Sequence, residues 1–321
     1  MAARVASLRR DYGVVILAAV LWGTSFPGSE LTVGAVDPLF LTFARLGIGG
    51  LLGFAVLSLL GRFDARVFRS PYVWVLGALN AIAFDLQNSG IALTTASKTS
   101  LLVNVNVVFI AILMSLVFKE RMTGPKVLGI VVGVGGVVLL ATRLDPSSLA
   151  GGEFRGDVLV FLSGLVWAFF VIGTKEMVDL GGDYVAEVTA VLAVTSLYAA
   201  IPLFFLGTPL PATTEGWLGI AYLGLVPTFT PMILYASSMR TISPTISALL
   251  ILLEVILASV LSFLFLGDLI SVYTLAGGAL ILFGAWIVAR GQKEIPEPGA
   301  AGLAPVPADT VLPPPERLTR R

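Results

Sequence analysis

Cysteine and histidine are both missing from this sequence, and charged residues make up only 12% of it. The two missing residues exclude disulfide bonds, thiolate chemistry, imidazole bases and the usual zinc sites. Soluble domains carry about 25% charged residues, so the low charge excludes an ordinary water-soluble globular protein. The charges that are present balance to zero, which gives no electrostatic reason to expect a nucleic-acid partner.

Apolar residues are abundant, at 57% of the 321-residue chain. A helix that crosses a bilayer needs roughly 17–25 predominantly apolar residues. Runs of this kind predict ten spans, near residues 13–33, 38–60, 71–93, 97–118, 122–141, 156–175, 184–206, 214–237, 243–266 and 270–289. Short connections favour one compact, all-α bundle in the membrane. The first run follows Arg9 and Arg10 and also resembles a cleavable signal peptide, but its length and the lack of a clear small-residue cleavage site favour an uncleaved span.

Lysine and arginine predict the orientation of the bundle, because cytoplasmic loops carry an excess of them. One side of the predicted topology holds Arg4, Arg9, Arg10, Arg62, Arg66, Arg69, Lys119, Arg121, Lys126, Lys175, Arg240, Arg290 and Lys293. The other side holds Lys98, Arg143 and Arg155. Both termini are therefore predicted to be cytoplasmic. Lys98, Lys119 and Lys175 lie near span ends, where we expect them to snorkel to the interface or set orientation.

The two halves of the chain share a pattern that we interpret as an internal repeat. A shift of 148 residues pairs Leu101 with Leu249, Gly129 with Gly277, Gly136 with Gly284 and Glu120 with Asp268, and a shift of 145 pairs Trp22 with Trp167. The predicted parts are a cytoplasmic N-terminus (1–12), a first five-span half (13–141), a linker (142–155), a second half (156–289) and a disordered cytoplasmic tail rich in proline and alanine (290–321). Because five is odd, the second half is predicted to be inverted, as in many secondary transporters.

Several motifs then resemble the EamA-like branch of the drug/metabolite transporter superfamily. They are WGTSF in the first span, Arg45 in LTFARLGIGG, TTASKTSLL, LVFKERMTG and LFLGDLI, with LLEVILASV in the ninth span. The last looks like the family's Leu-rich segment with a glutamate usually followed by proline, but Val255 follows Glu254 here, and Asn106 occupies the matching place in the first half. The resemblance implies a ten-span inner- or plasma-membrane carrier of small metabolites, often an exporter.

Polar side chains at membrane depth are the candidate site residues, because burying them in lipid costs several kcal/mol unless they face a cavity or a partner. The ionisable ones are Arg45, Asp85 and Glu254, and the amides include Asn80, Gln87, Asn88, Asn104 and Asn106. A helical rise of 1.5 Å per residue places Arg45, Asp85, Asn104, Asn106 and Glu254 about 9 to 13 Å from the outer face. Trp22 lies a little deeper, and with Trp167 it is predicted to wall the same cavity.

Each candidate also has a purely structural interpretation. Arg45 and Asp85 are equally well explained as a structural ion pair. Asp85 and Asn88 share a helix face, where they line a cavity or join helices. One of Asn104 and Asn106 is predicted to form an interhelical hydrogen bond. Glu254 is a candidate proton carrier, or else a permanently protonated or Arg-paired acid, and the two tryptophans fill the core if they do not line a pathway.

The segment VLWGTSFPGSE contains a helix breaker and polar groups inside a membrane-length run. Pro27 removes one backbone hydrogen bond, and Thr24, Ser25 and water can satisfy the freed groups where the helix faces protein or a cavity. We interpret Pro27 as a hinge that lines a pathway, and Pro227 and Pro231 in VPTFTPM as a second hinge. A kink that serves packing alone is the alternative at each.

These features predict a secondary active transporter that moves a small organic metabolite, such as an amino acid or a drug-like compound, by alternating access. We expect it to be an exporter, with the proton as candidate coupling ion. No GxxxxGK[ST] loop is present, so ATP is not the direct energy source. The alternatives are an intramembrane enzyme and a passive channel. We expect a small-molecule substrate and a lipid bilayer as partners, and no catalytic residue, cofactor, metal or nucleic acid.

Overall fold

The structure is a computed structural model that describes residues 2–117, 122–145, 151–240, 242, 247, 250–268 and 270–290. Apart from Arg290, which ends the last helix, the predicted disordered tail lies outside these residues. The α-helices are α1 (Ala2–Gly23), α2 (Ser25–Val33), α3 (Pro38–Leu59), α4 (Pro71–Ile91), α5 (Ala96–Val103), α6 (Asn106–Val117), α7 (Gly124–Thr142), α8 (Gly152–Asp179), α9 (Tyr184–Leu206), α10 (Thr214–Leu225), α11 (Phe229–Ser238), α12 (Leu253–Leu266) and α13 (Val272–Arg290), and a 3₁₀ helix spans Ala65–Arg69. The described chain contains no strand, which confirms the all-α prediction.

Seven helical stretches of the described chain are long and apolar enough to cross a membrane. They are Asp11–Val33, Pro38–Leu59, Ala96–Leu116, Gly124–Thr142, Gly152–Asp179, Tyr184–Leu206 and Thr214–Ser238. The helices Leu253–Leu266 and Val272–Val288 are apolar but shorter. Helix α4 is long enough, with 21 residues, but it carries Asn80, Asp85, Gln87 and Asn88. Helices of the described chain thus overlap the predicted spans, and seven helical stretches qualify by length and composition.

Polar caps and glycines account for the short connections between helices. Asp37 caps α3 by accepting from the backbone N–H groups of Leu39 at 2.9 Å and Phe40 at 3.3 Å, with a proline as the first helical residue. Thr95 caps α5 in the same way through the N–H of Lys98. Helix α9 ends at Gly207, whose φ of 61° is favoured by glycine because it has no Cβ.

Several membrane-length stretches are interrupted near their middles. The break between α1 and α2 lies at Thr24, and the break between α10 and α11 covers residues 226–228. The hydroxyl of Thr24 donates to the carbonyl of Leu21 at 2.7 Å, and the hydroxyl of Thr228 donates to the carbonyl of Leu223 at 2.6 Å. These side chains satisfy backbone oxygens that the interrupted helices release.

The predicted hinge prolines lie at these breaks. Pro27 is the third residue of α2 and Pro231 the third residue of α11, in the first helical turn where the missing N–H costs little. Pro227 lies within the second break itself. Two further interruptions were not predicted: one between α5 and α6 at residues 104–105, and one at Leu252 immediately before α12. No proline lies at either of these, so their sequence signal is weak.

Glycine contacts bring α7 and α13 together. A Cβ atom on Gly129 would lie 2.6 Å from the carbonyl oxygen of Gly284, and one on Gly136 would lie 2.6 Å from the carbonyl oxygen of Gly277. The two backbones therefore touch where a side chain would separate them. Helices α3 and α9 approach in a similar way, because a Cβ on Gly50 would lie 3.1 Å from the backbone nitrogen of Ala193.

Polar contacts define two ends of the bundle. At the Lys98 end, residues 94–98 contact residues 30, 153–157 and 268. At the Arg62 end, Arg62 forms an ion pair with Asp183 at 2.7 Å, and Arg240 lies 5.0 Å above the ring centroid of Tyr184. The middle of the bundle between these ends holds the candidate site.

Candidate functional site

A cavity of about 80 Å³ lies among the interrupted helices. Its lining residues are Trp22, Ser25, Phe26, Arg45, Phe84, Gln87, Val103, Asn106, Trp167, Phe170, Val171, Tyr235, Ile251 and Glu254. One water needs roughly 10–15 Å³ of such space, so the cavity has room for several waters or a small organic group. Polar side chains and aromatic rings share its wall, which is typical of small-molecule sites.

Six of the ten predicted pathway residues line this cavity: Trp22, Ser25, Arg45, Asn106, Trp167 and Glu254. Asn104 reaches it indirectly through Glu254. Thr24, Asp85 and Asn88 lie outside the lining, as do the three prolines. The hydroxyl of Thr24 bonds to the carbonyl of Leu21 at the helix break. Asp85 and Asn88, both on α4, contact Thr42 on α3.

Arg45 extends from α3 and is 0% exposed. Its guanidinium donates to the hydroxyls of Ser25 at 3.1 Å and Ser29 at 3.3 Å, which are one turn apart on α2. It also donates through Nε and Nη2 to the hydroxyl of Thr228 at 3.4 Å, and its Cζ atom lies 4.7 Å from the ring centroid of Phe84. All these partners are neutral, so the charge of Arg45 is held without an acid among the described residues.

Glu254 projects from the first turn of α12 and is 6% exposed. The side-chain amide of Asn104 donates to its Oε1 atom at 2.7 Å and to the carbonyl of Ser100 at 2.8 Å. Asn104 therefore forms the interhelical bond that the sequence predicted for one of the two asparagines. Asn106 lines the cavity, where its buried Oδ1 atom has no hydrogen-bond partner within the described chain. Glu254 has no ion-pair partner among the described residues, so the predicted Arg-paired alternative is not observed there.

Aromatic rings form the apolar part of the wall. Trp22 packs edge-on against Tyr235 with centroids 5.3 Å apart, and Trp167 packs edge-on against Phe84 at 5.1 Å and Phe170 at 5.2 Å. The indole N–H of Trp167 donates to Oε1 of Gln87 at 3.2 Å. Both tryptophans therefore wall the cavity as predicted, and both are only partly buried.

Sequence reasoning missed much of the apolar lining, although the repeat contains a signal for it. The shift of 145 residues that pairs the two tryptophans also pairs Ser25 with Phe170 and Phe26 with Val171. The shift of 148 residues pairs Val103 with Ile251 and Asn106 with Glu254. Carrying the candidate Ser25 to its counterpart would therefore have found Phe170, whereas Val171 and Ile251 are counterparts of Phe26 and Val103, which were not candidates. Tyr235 has no such signal.

Asp85 and Asn88 belong to a separate polar cluster between α3 and α4, with Thr42 at its centre. Asn88 is 0% exposed, and its amide donates to the hydroxyl of Thr42 at 3.0 Å. The same hydroxyl lies 3.2 Å from the carbonyl of Pro38 and also interacts with the Asp85 carboxyl group. The structural pair of Arg45 with Asp85, one of our two interpretations, is therefore not formed: Arg45 binds hydroxyls and Asp85 lies against Thr42.

A buried ion pair closes the Lys98 end of the bundle. Lys98 is 3% exposed, and its Nζ atom lies 2.5 Å from Asp157 and 3.0 Å from Glu153, both on α8. Thr94 donates to Asp157 at 2.9 Å, and Arg143 pairs with Glu153. Of the two roles predicted for Lys98, snorkelling is not observed, because two acids on the neighbouring helix satisfy its charge inside the protein. Lys175 pairs with Asp179 one turn along α8, and Lys119 lies outside the described residues.

Helix α5, whose residues are all buried, is tied to other elements of this end as well. The backbone N–H of Ala96 donates to the carboxylate of Glu30 on α2, and the hydroxyl of Ser97 donates to Asp268 at 3.1 Å. Its first turn therefore contacts residues from both halves of the chain.

Comparison with known proteins identifies the family. The model of the "EamA-like transporter family" matches residues 11–142 and, separately, residues 154–290. The chain belongs to the EamA-like transporter family. The resemblance seen in the sequence is thereby confirmed, and with it the description as a multi-pass membrane protein of a transporter family. Nothing in this membership points to an enzyme.

Individual relatives agree with the EamA-like assignment. The "Uncharacterized transporter YdfC" of Bacillus subtilis is 29% identical over 82% of this chain and 86% of its own. A "Probable terminal-alkyne amino-acid exporter" of Streptantibioticus cattleyicolor is 25% identical over 91% of this chain and 99% of its own. A crystal structure with 20% sequence identity covers 89% of this chain and 99% of its own with a TM-score of 0.65, which shows that the fold is shared.

Proposed function

We propose that this protein is a secondary active transporter of the cell membrane that exports a small organic metabolite with both an acidic and a basic group, such as an amino acid. The observation that carries the proposal is one cavity lined by Arg45 and Glu254, each buried and neither paired with an opposite charge among the described residues. Ionisable groups in a membrane protein usually mark a substrate or ion pathway.

The geometry suggests a role for each part of the wall. A cargo carboxylate would replace hydroxyl contacts of Arg45, whose planar guanidinium has five donors and suits bidentate pairing. A cargo ammonium group would pair with Glu254 and could also donate to Oδ1 of Asn106, which has no hydrogen-bond partner among the described residues. Trp22, Trp167 and the other rings would cover the apolar part of the cargo. The amino-acid cargo named for the Streptantibioticus relative fits this chemistry.

The same acid supplies a reason for proton exchange. A buried carboxylate without a counter-ion is costly, so Glu254 favours either a bound ammonium group or a proton. If cargo leaves as a proton arrives, influx of protons drives export of cargo. This proposal needs no ATP site, in agreement with the missing phosphate-binding loop.

Alternating access is supported by the repeated organisation that we propose, with ten spans in two inverted halves. The family model matches each half once. The glycine contacts are reciprocal under the shift of 148 residues: Gly129 meets Gly284, while their counterparts Gly277 and Gly136 meet each other. The breaks at residues 104–105 and at Leu252 also correspond under that shift. Inverted halves exchange conformations to give two states that open on opposite sides.

The proposed orientation places the Lys98 end outside and both termini in the cytoplasm, because the lysine and arginine excess lies at the Arg62 side. The burial of α5 and its ion pairs then supports a state that is closed toward the outside. Opening that end would require Lys98 to leave Asp157, and Pro27, Pro227 and Pro231 are the proposed hinges for the accompanying helix movement.

Counterflow in sealed proteoliposomes tests the function. Vesicles preloaded with unlabelled amino acids should accumulate the labelled compound transiently and saturably, and an imposed proton gradient should drive net flux. Flux that never saturates would favour a channel. Chemical conversion of the cargo in detergent, where no compartments exist, would favour an intramembrane enzyme. The fold would be unaffected by either result.

A further inference from the structure

The polar cluster around Thr42 has oxygen atoms that no described group satisfies. Oδ1 of Asp85 and Oδ1 of Asn88 are both buried without a hydrogen-bond partner within the described chain. The two residues are three positions apart on α4 and so lie on one helix face. Asn88 is 0% exposed, and its amide N–H is already used by Thr42. Buried acceptors of this kind normally have a partner.

The charges around the cluster point to a cation as that partner. Asp85 interacts electrostatically with Asp37, the capping residue of α3, so two carboxylates lie near one another. One carboxylate oxygen of Asp37 accepts hydrogen bonds from the backbone N–H groups of Leu39 and Phe40. Arg45 is directed to Ser25, Ser29 and Thr228 instead, and Asp85 has no ion-pair partner among the described residues. The cluster therefore contains a buried carboxyl oxygen with neither a basic partner nor a hydrogen-bond donor in the described chain.

The available ligands are oxygens of one carboxylate and several neutral groups. Asp85 and Asn88 supply the two unpartnered oxygen atoms, and the hydroxyl of Thr42 contacts both residues, since it accepts from the Asn88 amide at 3.0 Å and interacts with the Asp85 carboxyl group. Hard cations take oxygen ligands of this type. No described group of three or more acidic, histidine or cysteine side chains forms a divalent-metal site, whereas one free carboxylate balances the charge of a monovalent ion.

We propose that Asp85, Asn88 and Thr42 form a binding site for one monovalent alkali cation, such as sodium, between α3 and α4 and apart from the cargo cavity. The site is independent of the cargo and of the role of Glu254. It replaces our expectation from the sequence that no metal binds. Asp85 does not line the cargo cavity, and the proposed cation site gives this residue a function.

Sodium binding to the purified full-length protein tests this site without any cargo. We expect the melting temperature in sodium chloride to exceed that in equimolar choline chloride at the same pH by about 3 °C, since a ligand that binds the folded state stabilises it. Radioactive sodium should bind with a stoichiometry near one. In Asp85→Asn, sodium affinity should fall at least tenfold, whereas Glu176→Gln, which changes an exposed acid on α8, should keep the full sodium shift.

Two further variants test the same site in case Asp85→Asn does not fold. Thr42→Val and Asn88→Leu each remove one neutral ligand, and both should weaken sodium binding while the protein still unfolds cooperatively in choline. Equal melting temperatures in sodium and choline with no bound sodium would overturn the proposal, and a pH dependence alone would assign Asp85 to a proton. Sodium binding retained in all three variants would also overturn it. Cargo counterflow in a protein that binds no sodium would leave the transporter proposal standing.

Discussion

Arg45 shows at the scale of one residue how this bundle holds a charge inside the membrane. Its partners are hydroxyls from α2 and from the break between α10 and α11, and the ring of Phe84. These hydroxyls can rotate toward other partners when a cargo carboxylate binds Arg45. An acidic side chain in their place would compete with that carboxylate for the guanidinium group. The residue type and depth were predictable from the sequence, but these partners were not, because Thr228 is 183 positions away.

Arg45→Lys should weaken cargo binding although it keeps the charge. Lysine lacks the planar fork that holds a carboxylate bidentately, and hydrogen bonds to charged groups contribute about 1.5–3 kcal/mol. We expect the half-saturation concentration for counterflow to rise about 10- to 100-fold. Arg155→Lys, an exposed position at the start of α8, is the matched control and should behave as wild type. An unchanged half-saturation in Arg45→Lys would show that Arg45 does not touch the cargo.

Glu254→Gln should separate cargo exchange from proton coupling. The amide keeps the size of the side chain and its bond to Asn104 but holds no exchangeable charge. We expect an imposed proton gradient to drive net export at least about tenfold less than in wild type, a loss equivalent to about 1.4 kcal/mol. Glu176→Gln, an exposed acid on α8, provides the control. Full gradient-driven export by Glu254→Gln would remove this residue as the proton carrier.

The candidate residues show what a single sequence can and cannot reveal about a site. Trp22, Arg45 and Glu254 could be found because such residues are rare at membrane depth. Asp85 lies outside the lining of this cavity, which depth alone could not tell, since depth along a helix does not show which way the helix is rotated about its axis. Phe84 and Tyr235 could not be found because lipid-facing rings have the same composition as cavity-lining ones.

Interrupted helices are the feature that matters at the scale of elements. Ser25, which lines the cavity, follows the break at Thr24, and Thr228 in the break at residues 226–228 contacts Arg45 of the lining. Asn106, also in the lining, follows the break at residues 104–105. Prolines made the first two predictable. The breaks at residues 104–105 and at Leu252 carry no proline and depend on tertiary contacts such as the bond between Asn104 and Glu254.

Asp157→Asn should loosen the Lys98 end. Removing one partner of a buried ion pair costs about 3–5 kcal/mol in the state that contains the pair, so the population should move toward a state in which this end is open. The chain has no cysteine, so a single Val103→Cys in the cavity wall reports access. We expect labelling by an impermeant maleimide from the Lys98 side to be about tenfold faster in Asp157→Asn.

Asp179→Asn is the control, because it breaks an exposed ion pair at the far end of α8 and should not accelerate the labelling. Equal rates in all three backgrounds would mean that the pair does not hold this end closed.

Adjacent glycines on α7 provide a matched pair of substitutions. A methyl group on Gly136 would collide with the backbone of α13, and such overpacking costs about 1–3 kcal/mol. A methyl group on Gly135 meets nothing within 4 Å, and alanine is favoured over glycine in a helix by about 0.8–1 kcal/mol. Gly136→Ala should therefore lower the melting temperature in detergent and Gly135→Ala should leave it equal or higher. The opposite order would contradict the observed contact between α7 and α13.

At the scale of the whole molecule, hydropathy was enough to predict an all-α membrane protein. The family matches on residues 11–142 and 154–290 fall close to the predicted halves. The number of spans was harder to predict, because seven stretches qualify by length and composition. Helix α4 is too polar in its middle to be recognised by apolar content. Its polar residues, such as Asn80, Gln87 and Asn88, are buried inside the bundle.

The orientation of the whole bundle can be checked with single cysteines. Arg66→Cys, between α3 and α4, should be labelled only by reagents with access to the cytoplasm, whereas Gly152→Cys at the start of α8 should be labelled from outside. The positive-inside rule gives this expectation, and both positions are exposed. Impermeant reagents applied to intact cells and to inverted vesicles would measure it. The reverse labelling pattern would invert the proposed topology.

Arg45 has a consequence for the resting protein as well as for recognition. Its positive charge stands among neutral dipoles in a poorly polarisable interior, where its potential extends farther than it would in water. An arginine that lines a pore is an electrostatic barrier to small cations. In the proposed transporter, Arg45 would therefore oppose inorganic cation leak through the cavity, and the group proposed to recognise a carboxylate would also help to preserve the membrane potential.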